Sequence, residues 1–456
     1  MQYQEFYKSI NGKSIAVCGI GKNNPPVVMQ LLAQGARVFA CDKRSRQELG
    51  SIADRLEQAG ATLVLGESYL DHLDRVDMIL RTPGMKPYLP AFEKARRQGI
   101  PVTSEMELFF ELCPAPIFGV TGSDGKTTTT TIIAGLLEAN RQKVHLGGNI
   151  GRPLLPEIEK ISSTDAAVVE LSSFQLTNMT MSPQVAVVTN VAPNHLDWHT
   201  DMQEYIDAKQ NLVAHQTAND RAVLNADNSI TAAFSKKCAG KIYWFSRCRA
   251  VDQGTYLGKD GIVYGVENGV TTPILPATEI QLPGTHNVEN FLAAFAAVWG
   301  IVSVETMARF AREFGGVKHR CELVRVRNGV RWYNDSIGTS PSRTIAGLQA
   351  FDRKVILIAG GYDKHIPYAP LGEVAPHTVK NAVLMGATAD AIEAAIRDHG
   401  DLPIYRVSDM ETAVKVADEL SQDGDIVFMS PPSASFDLYR NFEERGDHFK
   451  RLVEEL

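Results

Sequence analysis

The chain has 456 residues, 44% hydrophobic and 22% charged, a balance typical of folded proteins, and its length suggests about three domains at roughly 150 residues each. Its formal net charge of -7 argues against a general nucleic-acid binder, whose affinity would come from Lys and Arg contacts to phosphate. Six cysteines, Cys18, Cys41, Cys113, Cys238, Cys248 and Cys321, form no CxxC pair and read as reduced, mostly buried thiols of a cytosolic protein.

The opening MQYQEFYKSINGKS lacks the apolar stretch of a secretory signal. From Ser14 onward, short β-branched runs alternate with longer amphipathic segments, the pattern of α/β layers around a parallel sheet. SIAVCGIG, RVFACD, MILRTPG and IPVTS are the expected strands of a first unit. A second series starts at Ala115 with APIFGV, a Gly-rich turn and a helix, and continues through AAVVELSS and VAVVTNVAP. The longest apolar run, Phe291 to Val304, is interrupted by Gly300 and Ser303, and it falls short of the roughly 20 residues of a membrane span, so a buried helix is expected there. A third series offers VRWYND, VILIAGG, NAVLMG and DIVFMSPP. The expectation is three consecutive α/β domains, residues 1–107, 108–316 and 317–456, the outer two Rossmann-like and the central one built on a phosphate loop.

The sharpest chemical signal is GVTGSDGKTTTT, Gly119 to Thr130, between a strand and a helix. Small residues at Gly122, Ser123 and Gly125 let backbone N–H groups turn inward around phosphate oxygens, and the helix N-terminus adds a favourable dipole. Lys126 then reaches the outer phosphates and the Thr127 hydroxyl is a magnesium ligand. The pattern departs from the general phosphate loop in one place, since its first glycine falls at Val120. Glu170, at the end of AAVVE, lies at the sheet edge where ligands bind in open α/β folds, as a magnesium ligand or as a solvated capping residue. VAVVTNVAPNHLDWH brings His195 and Asp197 to the same edge, and the helix after it carries Lys209. In the first unit, Gly19 and Gly21 follow a strand and Asp42 ends the next, but Asn24 stands where a dinucleotide fingerprint has its third glycine. That supports a phosphate-bearing ligand, with Lys43 and Arg44 available to a diphosphate or sugar, without identifying NAD. In the third unit, Arg320 and Lys364 beside Gly, Ser and Asp turns suit carboxylate or phosphate anchoring.

Taken in order, TGSDGKTT, GGNIG, ELSSFQL, NVAPNHLDWH with YIDAK, LNADN, PGTHNVENFLAA, KHRCE, NDSIGTSP, GGYDK and SASFDLYRNFEERGDHF resemble the Mur ligase family of peptidoglycan synthesis over nearly the whole chain. SSFQL paired with SASFDLYRNFEERG looks most like the member that adds D-glutamate to UDP-N-acetylmuramoyl-L-alanine. The resemblance implies an ATP-dependent, ADP-forming amide ligase in the cytoplasm, monomeric, with small-molecule substrates and no nucleic-acid or membrane partner. It implies a first domain that holds the UDP substrate through Gly19, Gly21, Asp42, Lys43, Arg44, Thr82, Pro83 and Gly84, with Asn149 and Gln175 near its sugar and peptide-bearing part. It assigns the ATP site to Gly122, Ser123, Asp124, Gly125, Lys126, Thr127 and Thr128, with Asn287 on the adenine side and Arg320 and Asp335 reaching in from a closing domain. Thr127, Glu170, His195 and a carbamylated Lys209 would serve magnesium, two ions in all, and Lys126, Glu170, His195 and Lys209 would form the catalytic set. Thr339, Lys364, Ser435, Phe436 and Phe442 match the incoming amino-acid pocket. Ile337 stands where the family's NDS motif often continues with lysine, so that contact is missing or supplied by another residue.

The alternatives are a related ligase adding L-alanine, a diamino acid, a dipeptide or glutamate to folate, a nucleotide-dependent switch without catalysis, and a nicotinamide oxidoreductase suggested by the GxG alone. Amino-acid-dependent release of ADP and phosphate separates the ligases from the other two.

Overall fold

A computed structural model describes residues 2–21 and 23–456, and among them the strands form three sheets. The first contains β1 (Ser14–Cys18), β2 (Arg37–Asp42), β3 (Thr62–Leu65), β4 (Met78–Arg81) and β5 (Val102–Thr103), all parallel, in the order β3-β2-β1-β4-β5. The second contains β6 (Ile117–Thr121), β7 (Val144–Gly148), β8 (Ala166–Glu170), β9 (Val185–Val188), β10 (Arg221–Asn225), β11 (Lys241–Ser246), β12 (Gly254–Leu257), β13 (Ile262–Glu267) and β14 (Val270–Pro276). Its order is β14-β13-β12-β11-β10-β9-β6-β8-β7, parallel from β7 to β12 and closed by an antiparallel β12-β13-β14 edge. The third contains β15 (Glu322–Arg327), β16 (Val330–Asn334), β17 (Val355–Gly360), β18 (Val379–Met385), β19 (Ile404–Arg406) and β20 (Ile426–Met429), in the order β15-β16-β20-β17-β18-β19. Only β15 runs antiparallel to its neighbour there.

The expected strands all form, because β1, β6, β8, β9, β17 and β20 are continuous apolar runs buried along their whole length, as strands covered on both faces require. The strands β3, β7, β10 to β15 and β19 had no place in the sequence reading. The antiparallel edge alternates apolar with polar and glycine residues, so no long apolar run marks it.

Two compact units result. One holds residues 1–278 and 288–310 with the first and second sheets, the other residues 279–287 and 311–456 with the third. Residues 291–299 are buried as expected, but the helix Thr285–Val298 stops short of Val304. Gly300 takes a left-handed φ of 76° after it, and Val304 opens a separate helix, Val304–Glu313. Among the described residues no helix is long and apolar enough to cross a membrane.

Candidate active site

The loop between β6 and the helix Lys126–Ala139 needs its glycines. Gly122 and Gly125 have φ of 153° and 77°, and a Cβ would strike the Thr189 hydroxyl at the first and the Asn290 side chain at the second. The segment after β9 moulds the loop from one side. Ser123 N and Asp124 N donate to the backbone and side-chain oxygens of Asn190, both at 2.9 Å, and the Thr189 hydroxyl donates to Asp124 O at 2.6 Å. Ser123 Oγ donates to Ala192 O at 2.9 Å and lies 2.9 Å from the Tyr205 hydroxyl. Here the structure corrects the sequence reading: the Ser123 amide turns to Asn190 rather than inward. The helix that follows begins with Lys126 and five consecutive threonines, two of which, Thr130 and Thr131, bond back to the carbonyls of Lys126 and Thr127 at 2.8 Å.

At the end of that loop Lys126 Nζ folds back to donate to Gly122 O and Ser123 O, both at 2.9 Å. Lys209 Nζ, on the helix Met202–Ala214, donates to the same Gly122 O at 2.8 Å. Lys209 is 1% exposed, and its Nζ also sits 4.7 Å from the centre of the Tyr205 ring. Burial, reinforced by the Lys126 charge, pushes the Lys209 amine well below its ordinary pKa. Sheet register brings Glu170 beside this pair, opposite Val120 of β6 and Gly148 of β7. Its Oε2 accepts from the Thr127 hydroxyl and its Oε1 from Asn149 Nδ2, each at 2.7 Å. A hydroxyl and a carboxylate side by side are hard oxygen donors suited to magnesium. Among the described residues no three His, Cys, Asp or Glu gather into a metal cluster, whereas magnesium commonly needs only one or two carboxylates with phosphate oxygens and water. These residues therefore fit the ion.

His195 has a left-handed φ of 55° and packs its ring 5.0 Å from that of Phe174. Partial burial and the nearby Lys126 charge lower its pKa. Asp197 and Asp124 are exposed, Gln175 spends its Oε1 on the Ser172 amide at 2.9 Å, and Thr128 is buried in the helix.

At the carboxyl edge of the first sheet, Gly19 has φ 88° and meets Thr82, whose amide donates to Cys18 O at 2.8 Å. Asn24, in the place of the missing glycine, donates to Gly19 O at 2.6 Å and so holds the turn. Asp42 accepts from Ile20 N at 2.6 Å and from Arg44 Nη2 at 2.8 Å. Burial alone would raise its pKa, but the Arg44 guanidinium and the Arg44 and Ile20 amides outweigh that and lower it. Gly21, Lys43, Pro83 and Gly84 line the same edge, with Lys43 and Gly84 exposed.

In the other unit Asp335, after β16, is buried and accepts from Ser430 Oγ at 2.7 Å and Cys321 N at 3.1 Å. Lys364 Nζ donates to Thr339 O at 3.1 Å, the ring of the exposed Phe436 lies 6.0 Å from that of Tyr362, and Ser336 Oγ donates to Phe442 O at 2.7 Å. Ser435 is buried, and Asn287 Nδ2 donates to Pro283 O at 2.6 Å. Two residues that the sequence reading missed matter here. Arg445 is 1% exposed and spends its guanidinium on Ser433 O, Ala434 O, Ser336 O and Ser336 Oγ at 3.0–3.2 Å, tying the NDSIGTS turn to the SASF turn. Arg343 and Arg320 are the cations acting on Asp335, in the region where Ile337 supplies none. Arg445 had a sequence signal in its place three residues after Phe442, on the inward face of the helix Phe442–Glu455.

Burial is the largest influence on Asp335 and raises its pKa from 3.8 to about 6, against the lowering effect of Ser430, Cys321 N, Arg320 and Arg343. A carboxyl raised on folding favours the native state below its unfolded pKa, and that contribution is lost as pH rises through the folded one. Asp335→Asn, which cannot ionise, is expected to gain stability over the native chain between pH 4 and 6. The gain should reach about 3 kcal/mol from the 3.8-to-6 shift, read from urea unfolding at pH 4 and pH 8. An equal difference at both pH values would show that Asp335 titrates normally.

Comparison with known proteins gives the family. The MurD-like N-terminal domain of Mur ligases matches residues 13–104, the Mur ligase middle domain residues 120–298, and the Mur ligase glutamate ligase domain residues 319–432. The chain belongs to the Mur ligase family, a class of ATP-dependent amide ligases. It is 51% identical to a UDP-N-acetylmuramoylalanine–D-glutamate ligase of Acetivibrio thermocellus, over 99% of this chain and 98% of that one. It is 48% identical to the enzyme of the same name from Clostridium kluyveri, over 100% and 99%. Among solved structures, the UDP-N-acetylmuramate-alanine ligase of Thermotoga maritima shares the fold with a TM-score of 0.57 at 18% identity, covering 97% of this chain and 99% of that one.

Proposed function

We propose that this chain joins D-glutamate to UDP-N-acetylmuramoyl-L-alanine at the expense of ATP, as a cytoplasmic enzyme of peptidoglycan precursor synthesis. The convergence of Lys126, Thr127 and Glu170 at one sheet edge carries the reaction class. The names of the relatives that match end to end support the substrate pair.

In this reading the terminal phosphoryl group of ATP passes to the alanyl carboxylate, ADP departs, and an acyl phosphate forms. The amine of D-glutamate then attacks the acyl carbon, phosphate leaves, and the amine loses a proton. Thr127 and Glu170, with His195 at a second position, would hold magnesium, which would supply charge neutralisation along the phosphates. Lys126 leaves the Gly122 and Ser123 carbonyls to meet the phosphoryl oxygens, where negative charge spreads in the transition state. Asn149 fixes the Glu170 carboxylate from the far side. The Gly19 turn, Asp42, Lys43, Arg44 and Thr82 to Gly84 take the UDP end of the substrate. Arg320, Asp335 and Asn287 serve ATP, and Thr339, Lys364, Ser435, Phe436 and Phe442 take D-glutamate.

Lys209 is read as a carbamate. Its buried amine, whose charged form burial and the Lys126 charge disfavour, would attack carbon dioxide and lose a proton, placing an anionic oxygen ligand next to Lys126.

Incubation with UDP-N-acetylmuramoyl-L-alanine, ATP and magnesium should release ADP and phosphate in equal amounts with D-glutamate, and not with L-alanine or a diamino acid. Equal use of L-alanine would overturn the substrate assignment and leave the ligase class standing.

A further inference from the structure

His195 sits on a loop whose backbone is tied to a buried cluster outside the phosphate site. The amides of Trp198 and His199 both donate to His195 O, at 3.1 and 3.0 Å, and so hold a residue whose left-handed φ of 55° is costly for a side chain of this kind. His199 is 2% exposed; its Nε2 is 2.9 Å from Ser173 Oγ, on the helix Ser173–Leu176, and its Nδ1 lies 3.8 Å from Glu204 Oε2 without a hydrogen-bond partner. Its ring and that of Trp198 both pack on Phe174, at 5.8 and 4.6 Å.

Two links run from this cluster to the first sheet. Trp198 Nε1 donates to Gly84 O at 3.0 Å, and the Tyr88 hydroxyl donates to Glu204 Oε1 at 2.7 Å. Glu204 in turn accepts from Thr200 N, next to His199. Gly84 and Tyr88 therefore connect to the His195 backbone through no more than two side chains each.

We propose that Trp198, His199 and Glu204 are positioning residues that transmit docking of the UDP substrate at the Thr82–Gly84 turn to the placement of His195. The inference rests on the assignment of that turn to the UDP substrate. A tether of this kind spends binding energy from a remote part of the substrate on alignment at the reacting centre, where small displacements are costly.

Three measurements test it. His199→Ala should lower kcat by about tenfold to a hundredfold with an unchanged KM for ATP, and His199→Gln, which keeps a polar group for Ser173, should recover most of the loss. Trp198→Phe keeps the ring on Phe174 and removes the donor to Gly84; it should lower kcat in the same way without lowering Tm. Titration of native enzyme with UDP-N-acetylmuramoyl-L-alanine alone should change tryptophan fluorescence, and Trp198→Phe should lose that change while calorimetry still detects binding. No calorimetric binding to the native enzyme would sink the substrate reading itself. Native-like kcat in Trp198→Phe, with binding intact, would overturn the coupling even if the His199 variants fail to fold.

Discussion

Lys126→Ala is expected to cut turnover by about a hundredfold to a thousandfold, the usual cost of removing one preorganised charge donor from a transition state. The variant should still fold: the lost side chain bonds two loop carbonyls at the helix start, and alanine is the better helix former at that position. Because the UDP substrate is read onto the first sheet, its binding by calorimetry should match that of the native enzyme. Lys126→Arg would keep the charge but replace a compact ammonium with a planar fork in a narrow loop, so only partial recovery is expected. Near-native turnover in a folded Lys126→Ala chain would remove the phosphate loop from the mechanism.

Loss of the carbamate proposed at Lys209 should have an effect of similar size. Rigorous removal of carbon dioxide should abolish activity, and bicarbonate should restore it. Enzyme equilibrated with 13C-bicarbonate should show a carbamate carbon resonance that is absent from Lys209→Arg. Arginine keeps a positive charge and the hydrogen bond to Gly122 O but cannot form the carbamate, so Lys209→Arg should be inactive with or without bicarbonate. Full activity without carbon dioxide would show that the bare amine suffices. The alternative is an unmodified lysine that binds ATP phosphates. Against it stands the shared Gly122 carbonyl: two charged ammoniums on one oxygen, one of them almost wholly buried, repel each other and lose hydration together.

The parallel strands were legible because a strand covered on both faces has to be apolar throughout, and Glu170 was legible because it ends one of them. The loop glycines were legible from the Lys-Thr pair and helix that follow. The direction of the Ser123 and Asp124 amides was not, since it depends on Asn190, more than sixty residues away. Arg343 is an exposed helix residue in sequence terms, and its relation to Asp335 appears only after folding brings the end of β16 to the start of the helix Pro341–Leu348. His199 looked like one more polar residue in HLDWH, and its burial comes from Phe174, Tyr205 and Trp198 closing around it. Of the six cysteines expected to be mostly buried, only Cys18 and Cys41, neighbours on β1 and β2, are buried, while Cys113, Cys238 and Cys321 are half-buried and Cys248 is exposed.

The five threonines after Lys126 in the Lys126–Ala139 helix set a limit on modularity. Each is a weaker helix former than alanine, and together they cost the isolated segment about 2–3 kcal/mol of helicity. Two of their hydroxyls find partners only in the folded protein, Thr127 in Glu170 at the end of β8 and Thr129 in Asn290 on the helix Thr285–Val298, residues that a short peptide does not contain. A transplanted Gly119–Ala139 fragment would thus carry every letter of the phosphate signature and remain largely unstructured, so affinity for nucleotide belongs to the assembled sheet and not to the motif.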